Sequence, residues 1–181
     1  SILYPYDIGE DGKRRVVPLE GYPGLKSYLL SHYQQLHGRN YVIKANRLWY
    51  EIWVPQNPSA WRKPKIVFPD ISSGAKFLVD LNGCLVDGNC YWIQPIRQNE
   101  EDVLYLIAGV ANSSLMDAYH ALAFQNVLYS GKRRYLTQYV DRYPLPDANC
   151  DASQQLISYV KSCIHSGIQC DQNIVDSLVF E

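Results

Sequence analysis

Short segments rich in β-branched and aromatic residues follow one another between residues 41 and 94, and patterns typical of helices lie on both sides of them. Segments of this composition are typical of β-strands. The sequence therefore predicts an α+β (mixed α/β) fold, in which antiparallel strands and hairpins are flanked by helices at both ends of the chain. The predicted strands are Tyr41–Lys44, Leu48–Val54, Lys65–Pro69, Lys76–Leu81 and Cys90–Gln94.

Two turn signals, Asn82-Gly83 and Asp87-Gly88, lie between the last two of these segments. Both central residues of a tight hairpin turn take positive φ, which Asn, Asp and Gly tolerate better than other residues. The spacing of the turns predicts a three-stranded antiparallel meander from Lys76 to Gln94.

Helical patterns dominate the two ends of the chain. Leu25, Leu29, Tyr33 and Leu36 recur at helical spacing before Gly38, which predicts a helix over residues 25–36. Toward the C-terminus the sequence predicts a helix from Glu100 to a break near Asn112, a helix over residues 115–124, a strand over Arg133–Thr137, an extended connector at Pro144–Pro146, a helix over residues 152–165 with Asp151 as its N-cap, and a last helix from Asp171 onward.

The pattern of the last helix is still running at Glu181, and the chain does not begin with Met. We therefore expect a piece of a longer protein. Residues 1–150 are expected to form one domain, and residues 151–181 a helical extension that is cut short.

Composition excludes several classes of protein. The chain has 181 residues, of which 47% are hydrophobic and 19% are charged, a globular balance that argues against long disorder. No apolar run approaches the roughly 20 residues of a membrane span, and no export signal is visible. The five cysteines form no C-x-x-C pair, which argues against a disulfide framework and a zinc site. A reducing cytoplasm is the expected location.

Charge is unevenly distributed along a chain whose net charge is only -1. Residues 39–76 carry seven cations against two acids, and residues 132–142 carry four cations against Asp141. Acidic segments at residues 77–102 and 147–181 compensate for them. Such segregation gives a neutral protein a positive face if the basic segments meet, and a nucleic-acid backbone responds to that local field. The other interpretation is that these are solvated loops on unrelated faces.

Motifs that would indicate an enzyme are absent from the sequence. There is no G-x-S-x-G, no G-x-x-x-x-G-K-[ST], no G-x-G-x-x-G and no H-E-x-x-H. His32 and His37 do not share a helix face, and His120 and His165 are isolated, so no metal-ligand spacing exists. No catalytic or metal-binding residue is predicted.

Several segments, in order along the chain, together resemble the TaqI-like C-terminal specificity domain of bacterial adenine-N6 DNA methyltransferases. Lys63-Pro-Lys-Ile-Val-Phe-Pro-Asp-Ile-Ser72 is the strongest match. Ala111 stands where the family usually has Leu. The other matching segments are Tyr22–Leu29 with Arg39, Trp49–Ile52, Phe77 with Asp80 and Gly83, Tyr91 with Ile93, Leu104–Ser113, Arg134–Tyr135, Tyr143–Pro146 and Ile174–Phe180.

The resemblance implies a DNA target-recognition module from a restriction–modification system, with double-stranded DNA as its partner. The family's N-P-P-Y or D-P-P-Y tetrapeptide is missing, since Asn57-Pro-Ser-Ala60 does not match it. No S-adenosylmethionine loop is recognisable either. The resemblance therefore implies that this fragment is not itself an enzyme. Its parent is expected to be a type II methyltransferase, with or without a fused nuclease, whose catalytic domain binds S-adenosylmethionine.

Candidate DNA contacts follow from charge and loop placement. Gln56 and Asn57 suit adenine edges, and Arg62 or Arg47 can grip guanine in bidentate fashion. Trp61 lies in the same loop. Phosphate contacts, which set the register without reading the sequence, are expected from Lys44, Lys63, Lys65, Lys76, Lys132 and Arg133. The complete predicted set is Arg39, Lys44, Arg47, Gln56, Asn57, Trp61, Arg62, Lys63, Lys65, Lys76, Lys132, Arg133 and Arg134.

Structural roles compete with these functional ones. Trp49, Tyr50 and Trp53 alternate as they would on a strand, which favours packing over base stacking. Arg134 precedes an aromatic residue and is equally typical of a structural ion pair, and Asp70 and Asp80 are expected to be structural. For the whole chain, the alternatives are a protein-interaction domain that docks onto a methyltransferase or nuclease subunit, and a small hydrolase with an unrecognised site.

Overall fold

The computed structural model describes residues 2–86, 88–97 and 100–180. The chain divides into two compact units, Ser1–Asn57 and Pro58–Glu181. Small antiparallel sheets and helices make up the described residues, so the predicted α+β class is confirmed. Asp87, part of the second predicted turn, lies outside the described residues.

The first unit combines one hairpin with three helices. Strands β1 (Tyr6–Ile8) and β2 (Arg14–Val16) pair antiparallel, and a short 3-10 turn follows at Leu19–Gly21. Helices α1 (Pro23–Ser31), α2 (Tyr33–His37) and α3 (Asn40–Lys44) come next. Pro23 occupies the first position of α1, where its fixed φ suits a helix and no N–H is needed.

The structure confirms the predicted helix near residues 25–36 but divides it at His32, between α1 and α2. Two strand predictions in this unit are wrong. Residues 41–44 lie in α3, and residues 48–54 contain no strand. The second region turns because the Leu48 N–H donates to the Glu51 carboxylate at 2.7 Å while the Glu51 N–H donates to the Leu48 carbonyl at 2.9 Å.

A three-stranded sheet forms one layer of the second unit. Helix α4 (Pro58–Trp61) leads into β3 (Lys65–Pro69), which is followed by β4 (Ile71–Ser72), β5 (Leu78–Asp80) and β6 (Cys90–Ile93). The spatial order is β5-β3-β6, with β3 antiparallel to both neighbours.

The predicted meander over residues 76–94 is therefore wrong, although two of its strands exist. β5 and β6 do not pair with each other, because β3 lies between them and Ile66 pairs with both Val79 and Ile93. No strand occurs over residues 81–86. Gly83 does take the positive φ of +72° that the turn signal predicted.

Helices form the rest of the second unit. They are α5 (Asp102–Ala111), α6 (Ser114–Phe124), α7 (Thr137–Val140), α8 (Asp151–Ser166) and α9 (Gln172–Phe180). Strand β7 (Arg133–Arg134) pairs with β4, so only the start of the predicted strand 133–137 is confirmed.

The helix ends follow the sequence closely. Ser113 begins α6 as its N-cap, with its hydroxyl accepting from the Met116 N–H at 3.1 Å. Cys150, rather than the predicted Asp151, is the N-cap of α8, and Asp151 lies in the first turn. Gly167 ends α8 in the left-handed conformation, as predicted.

One core joins the sheet to the helices of the second unit. Ile66 and Phe68 of β3 are buried in the same cluster as Leu104 of α5, Leu156 of α8 and Val175 of α9. Helices α8 and α9 therefore contribute to this core, and the two compact units of the chain divide after residue 57.

Helices α5 and α8 approach most closely at Gly109. A Cβ at this position would lie 2.9 Å from the Leu156 side chain, closer than van der Waals contact allows. We predict that Gly109→Ala destabilises the fold by about 1–3 kcal/mol through overpacking. The higher helix propensity of alanine offsets up to about 1 kcal/mol of this destabilisation. Leu156→Ala removes the obstacle, so Gly109→Ala should cost nothing in that background. Urea unfolding of the four proteins of this cycle measures the coupling, and additive effects would contradict the prediction.

Candidate nucleic-acid interface

The first basic segment is fixed by the burial of Lys65 at the start of β3. This side chain has 0% exposure. Its ammonium donates to the Trp61 carbonyl at 2.6 Å and forms an ion pair with the Asp80 carboxylate at the end of β5. A buried charge needs such partners, because leaving it unpaired costs several kcal/mol. Lys65 therefore ties the end of α4 to the neighbouring strand.

Asp80 completes this network from the other side. Its carboxylate also accepts from the N–H groups of Asn82 at 3.0 Å and Cys84 at 2.8 Å, which fixes the loop after β5. Burial by itself would raise the pKa of Asp80, but the hydrogen bonds from Lys65 and these amides outweigh it and hold the pKa below its usual range. The carboxylate is therefore ionised at neutral pH.

The loop after β5 packs directly on the segment between α4 and β3. A Cβ at Gly83 would lie 3.1 Å from the Arg62 Cα and 3.3 Å from the Trp61 carbonyl oxygen. Glycine permits both this approach and the positive φ at the same position. The Trp61 indole N–H donates to the Val86 carbonyl at 3.3 Å, and the Gln94 amide donates to the Ala60 carbonyl.

These contacts change the predicted role of two residues. Lys65 and Trp61 (4% exposed) lie in the interior, where neither can reach a phosphate or a base. Both leave the candidate set. Arg62 and Lys63 lie between them in sequence and are exposed, as is Lys76 before β5. Within the described part of the chain, no ion pair or side-chain hydrogen bond is recorded for these three cations.

The second basic segment is largely neutralised by acids. Arg134 forms a bidentate pair with Asp70, with Nε–Oδ1 and Nη2–Oδ2 distances of 3.2 and 2.6 Å. Arg133 pairs with Asp117 at 2.7 Å. The structural ion pair considered for Arg134 exists, but it is not buried, because the Arg134 side chain is 43% exposed. Asp70 and Asp80 have the structural roles expected of them. Lys132 has no acidic partner among the described residues, and its ammonium lies 5.5 Å from the centre of the Tyr129 ring.

Lys63 and the second basic segment, residues 132–142, lie toward opposite ends of β3. Lys63 precedes the strand, and β4, which follows it, pairs with β7 through Ser72 and Arg133. Ser72 lies nine positions after Lys63 along the chain, so their Cα atoms are at most about 30 Å apart. This separation is no longer than one turn of B-DNA, which measures about 34 Å.

In the first unit, the predicted residues have varied surroundings. The Arg39 guanidinium donates to the carbonyls of Leu36, Trp49 and Glu51 at 2.7 to 3.1 Å, which is a structural role. Arg47 lies 3.5 Å from Glu51. The remaining predicted residues of this unit lie at its surface or partly buried in it: Lys44 and Asn57 are exposed, and Gln56 is half-buried.

A hairpin at residues 125–133, here called the Tyr129 hairpin, was not identified from the sequence. Ser130 and Gly131 have φ values of +56° and +70°, as the two central residues of a type I′ turn do. The Lys132 N–H donates to the Tyr129 carbonyl at 3.3 Å, and Val127 bridges Arg133 in antiparallel fashion. The Ser-Gly dipeptide was the available signal, since it marks turns.

Buried His120 supports the base of this hairpin. Its Nε2 lies 3.1 Å from the Arg134 carbonyl and its Nδ1 lies 2.8 Å from the Tyr143 hydroxyl. A carbonyl only accepts, so Nε2 carries the proton and Nδ1 accepts from Tyr143. Burial lowers the pKa of His120, and the ring stays neutral. The Asn126 amide donates to the same Arg134 carbonyl at 2.7 Å.

Among residues 2–86, 88–97 and 100–180, no cluster of His, Cys, Asp and Glu side chains has the arrangement of a metal site. None of the helices described has the length and apolar character needed to cross a membrane.

Comparison with known proteins relates the chain to one class of enzyme. No protein-family model matches it. It is 48% identical over 164 residues to the type II methyltransferase M.BanIII of Aneurinibacillus aneurinilyticus, an alignment covering 91% of this chain and 28% of that protein. It is 27% identical over 150 residues to the type II methyltransferase M.XhoI of Xanthomonas vasicola, covering 81% of this chain and 25% of that protein.

A third match is the type II methyltransferase M.BstVI of Geobacillus stearothermophilus, which is 23% identical over 132 residues, 73% of this chain and 23% of that protein. The chain is similar to one part of type II methyltransferases. It spans about a quarter of the length of the curated relatives it matches.

The Lys65–Asp80 pair makes stability depend on acid pH. Because the pKa of Asp80 is lowered in the folded state, its stabilising contribution is present above the ordinary Asp pKa of about 4 and is lost as the pH falls below it. Asp80→Asn leaves the buried ammonium without a counter-charge and should destabilise the fold by about 3–5 kcal/mol at neutral pH. The difference between the two proteins should shrink in acid.

Urea midpoints of both proteins, measured at neutral pH and at about pH 3, test this expectation. Asp141→Asn is the matched control, because Asp141 is exposed and forms no recorded ion pair in the described part of the chain. Equal midpoints for the wild type and Asp80→Asn at neutral pH would contradict it.

Proposed function

We propose that the chain is the DNA target-recognition region of a type II, adenine-N6 DNA methyltransferase from a restriction–modification system. The observation that carries the proposal is the exposed Arg62–Lys63 pair on a segment held by Lys65 and Asp80. Similarity to part of three type II methyltransferases, one at 48% identity, supports it. The resemblance to the TaqI-like specificity domain supplies the finer assignment to adenine and to target recognition.

The segment over residues 58–65, here called the braced segment, has a chemistry that suits a DNA duplex. Arg62 presents a planar set of donors that can bind guanine O6 and N7 together, a contact that discriminates between bases by about 1–3 kcal/mol. Lys63 and Lys76 are single charges suited to phosphates, which set the register of the protein without reading the sequence. Because the backbone of the segment is fixed before binding, little ordering entropy is lost when these side chains engage DNA.

In this proposal the chain recognises DNA, and methyl transfer belongs to the rest of the parent protein. The catalytic domain of the same parent is then the second partner, and it binds S-adenosylmethionine. The recognition region holds the duplex while the catalytic domain extrudes the target adenine, since a base inside the stack is out of reach of a methyl donor.

Removing the exposed pair should weaken DNA binding in a salt-dependent manner. Each phosphate contact contributes about 0.9 to the slope of log K against log salt concentration. We predict that Arg62→Ala/Lys63→Ala lowers affinity for a mixed-sequence duplex of about 30 base pairs, and reduces that slope by about one to two. Fluorescence anisotropy over about 50–200 mM salt measures both quantities.

The matched control is Arg97→Ala/Lys161→Ala, which changes the net charge by the same amount. These two cations pair with Glu100 and Asp102 rather than lying on the braced segment. The control should keep a slope close to that of the wild type. If the wild-type chain binds no duplex at low salt, or if both double variants lose affinity equally, the proposal is wrong. A chain that binds no duplex but a methyltransferase or nuclease subunit would favour the protein-interaction alternative.

A further inference from the structure

The Tyr129 hairpin presents an aromatic ring and a cation on a rigid tip. Tyr129 is 71% exposed and Val127 beside it is 61% exposed. The Lys132 ammonium lies 5.5 Å from the centre of the Tyr129 ring, within the range of a cation–π contact. Tyr129 is exposed and Lys132 is partly exposed, so both side chains are within reach of a partner.

The backbone of the tip is fixed before any partner arrives. The turn hydrogen bond from Lys132 to Tyr129 and the 2.6 Å bond from the Leu128 N–H to the Lys132 carbonyl close the hairpin. Ser130 is held in the left-handed region, which is unfavourable for a non-glycine residue. A tyrosine on a rigid backbone loses few rotamers on binding, so it offers contact area at low entropic cost.

The base of the hairpin is anchored in the core of the second unit. Asn126 and His120 both contact the Arg134 carbonyl, and Arg134 itself is clamped by Asp70. The acids near the base are already committed, with Asp117 paired to Arg133. The cation at the tip, Lys132, is therefore not balanced by an acid among the described residues, which suits an anionic partner.

We propose that the Tyr129 hairpin is a second DNA-contacting element, in which the Tyr129 ring packs against bases as a wedge while Lys132 binds the neighbouring phosphate. The proposal rests on the proposed function, because it requires the chain to bind a duplex. Apolar side chains inserted between base steps unstack them in many DNA-bending proteins, and stacked aromatic rings contribute strongly to nucleic-acid affinity.

The location of the hairpin fits this role. It adjoins β7, which pairs with β4 beyond the end of β3, whereas Arg62 and Lys63 precede the start of β3. The two elements would thus engage one duplex at separate positions, within about one helical turn. Arg62 and Lys63 supply charge, and Tyr129 supplies an uncharged contact.

This difference in chemistry defines the experiment. In the 181-residue chain, Tyr129→Ala should weaken binding to a mixed-sequence duplex by about tenfold while leaving the salt slope unchanged, since no charge is removed. Lys132→Ala should lower the slope by about one. Tyr129→Phe should bind as the wild type does, because the ring rather than the hydroxyl makes the contact.

Unstacking gives an independent readout. A duplex carrying 2-aminopurine at scattered positions should brighten when the wild type binds, and Tyr129→Ala should lose that increase. Phe180→Ala is the matched control, because Phe180 is an aromatic residue with a similar exposure of 66% on α9. It should leave both affinity and fluorescence unchanged.

The outcomes separate the two proposals. If Tyr129→Ala binds DNA with an affinity within twofold of the wild type and keeps the fluorescence increase, the wedge is overturned and the proposed function stands. If the wild type self-associates on sedimentation and Tyr129→Ala does not, with no change in DNA binding, the hairpin makes a protein contact and the wedge is also overturned. A wild-type chain that binds no duplex overturns both proposals.

Discussion

The buried ion pair between Lys65 and Asp80 is the constraint on which the candidate interface depends. It lies where β3 begins and β5 ends, so it belongs to the sheet and to the surface segments at once. Through the Trp61 carbonyl it fixes the end of α4, and through the amides of Asn82 and Cys84 it fixes the facing loop. A buried pair is not an efficient source of stability, because desolvation offsets much of the attraction. Its value here is that it specifies one arrangement of two loops.

The sequence predicted the fold well where local signals decide it. β3, β6, α5 and α6 were identified because their apolar residues and flanking breakers act within a few positions. The meander failed for a long-range reason. Gly83 takes the positive φ that the turn signal predicted, but β5 pairs with a strand that precedes it, and no local pattern shows that order. Residues 41–44 are β-branched and aromatic yet helical, which shows that tertiary context outweighs intrinsic propensity in so short a segment.

The sequence predicted which residue types the candidate site contains but not how the fold arranges them. Clustered cations indicated the basic segments, but the sequence did not show which of these cations the fold would pair with acids. Lys63 and Lys65 carry the same side chain, but Lys65 begins β3 and is buried against Asp80, whereas Lys63 precedes the strand and is exposed. Arg133 and Arg134 pair with Asp117 and Asp70, which are 16 and 64 positions away. The Tyr129 hairpin was overlooked because its signal, Ser130-Gly131, is a common dipeptide.

The residues that hold the braced segment and the residues that are exposed on it are different, so the exposed ones can change independently. Trp61 and Lys65 face inward and hold the segment. Arg62 and Lys63 are exposed, and within the described part of the chain their side chains form no ion pair or hydrogen bond. Substitutions there alter the chemistry offered to a partner at little expense to folding. Under the proposed function, such a scaffold can change its selectivity while its architecture stays constant, and saturation mutagenesis of those two sites is a practical starting point for retargeting.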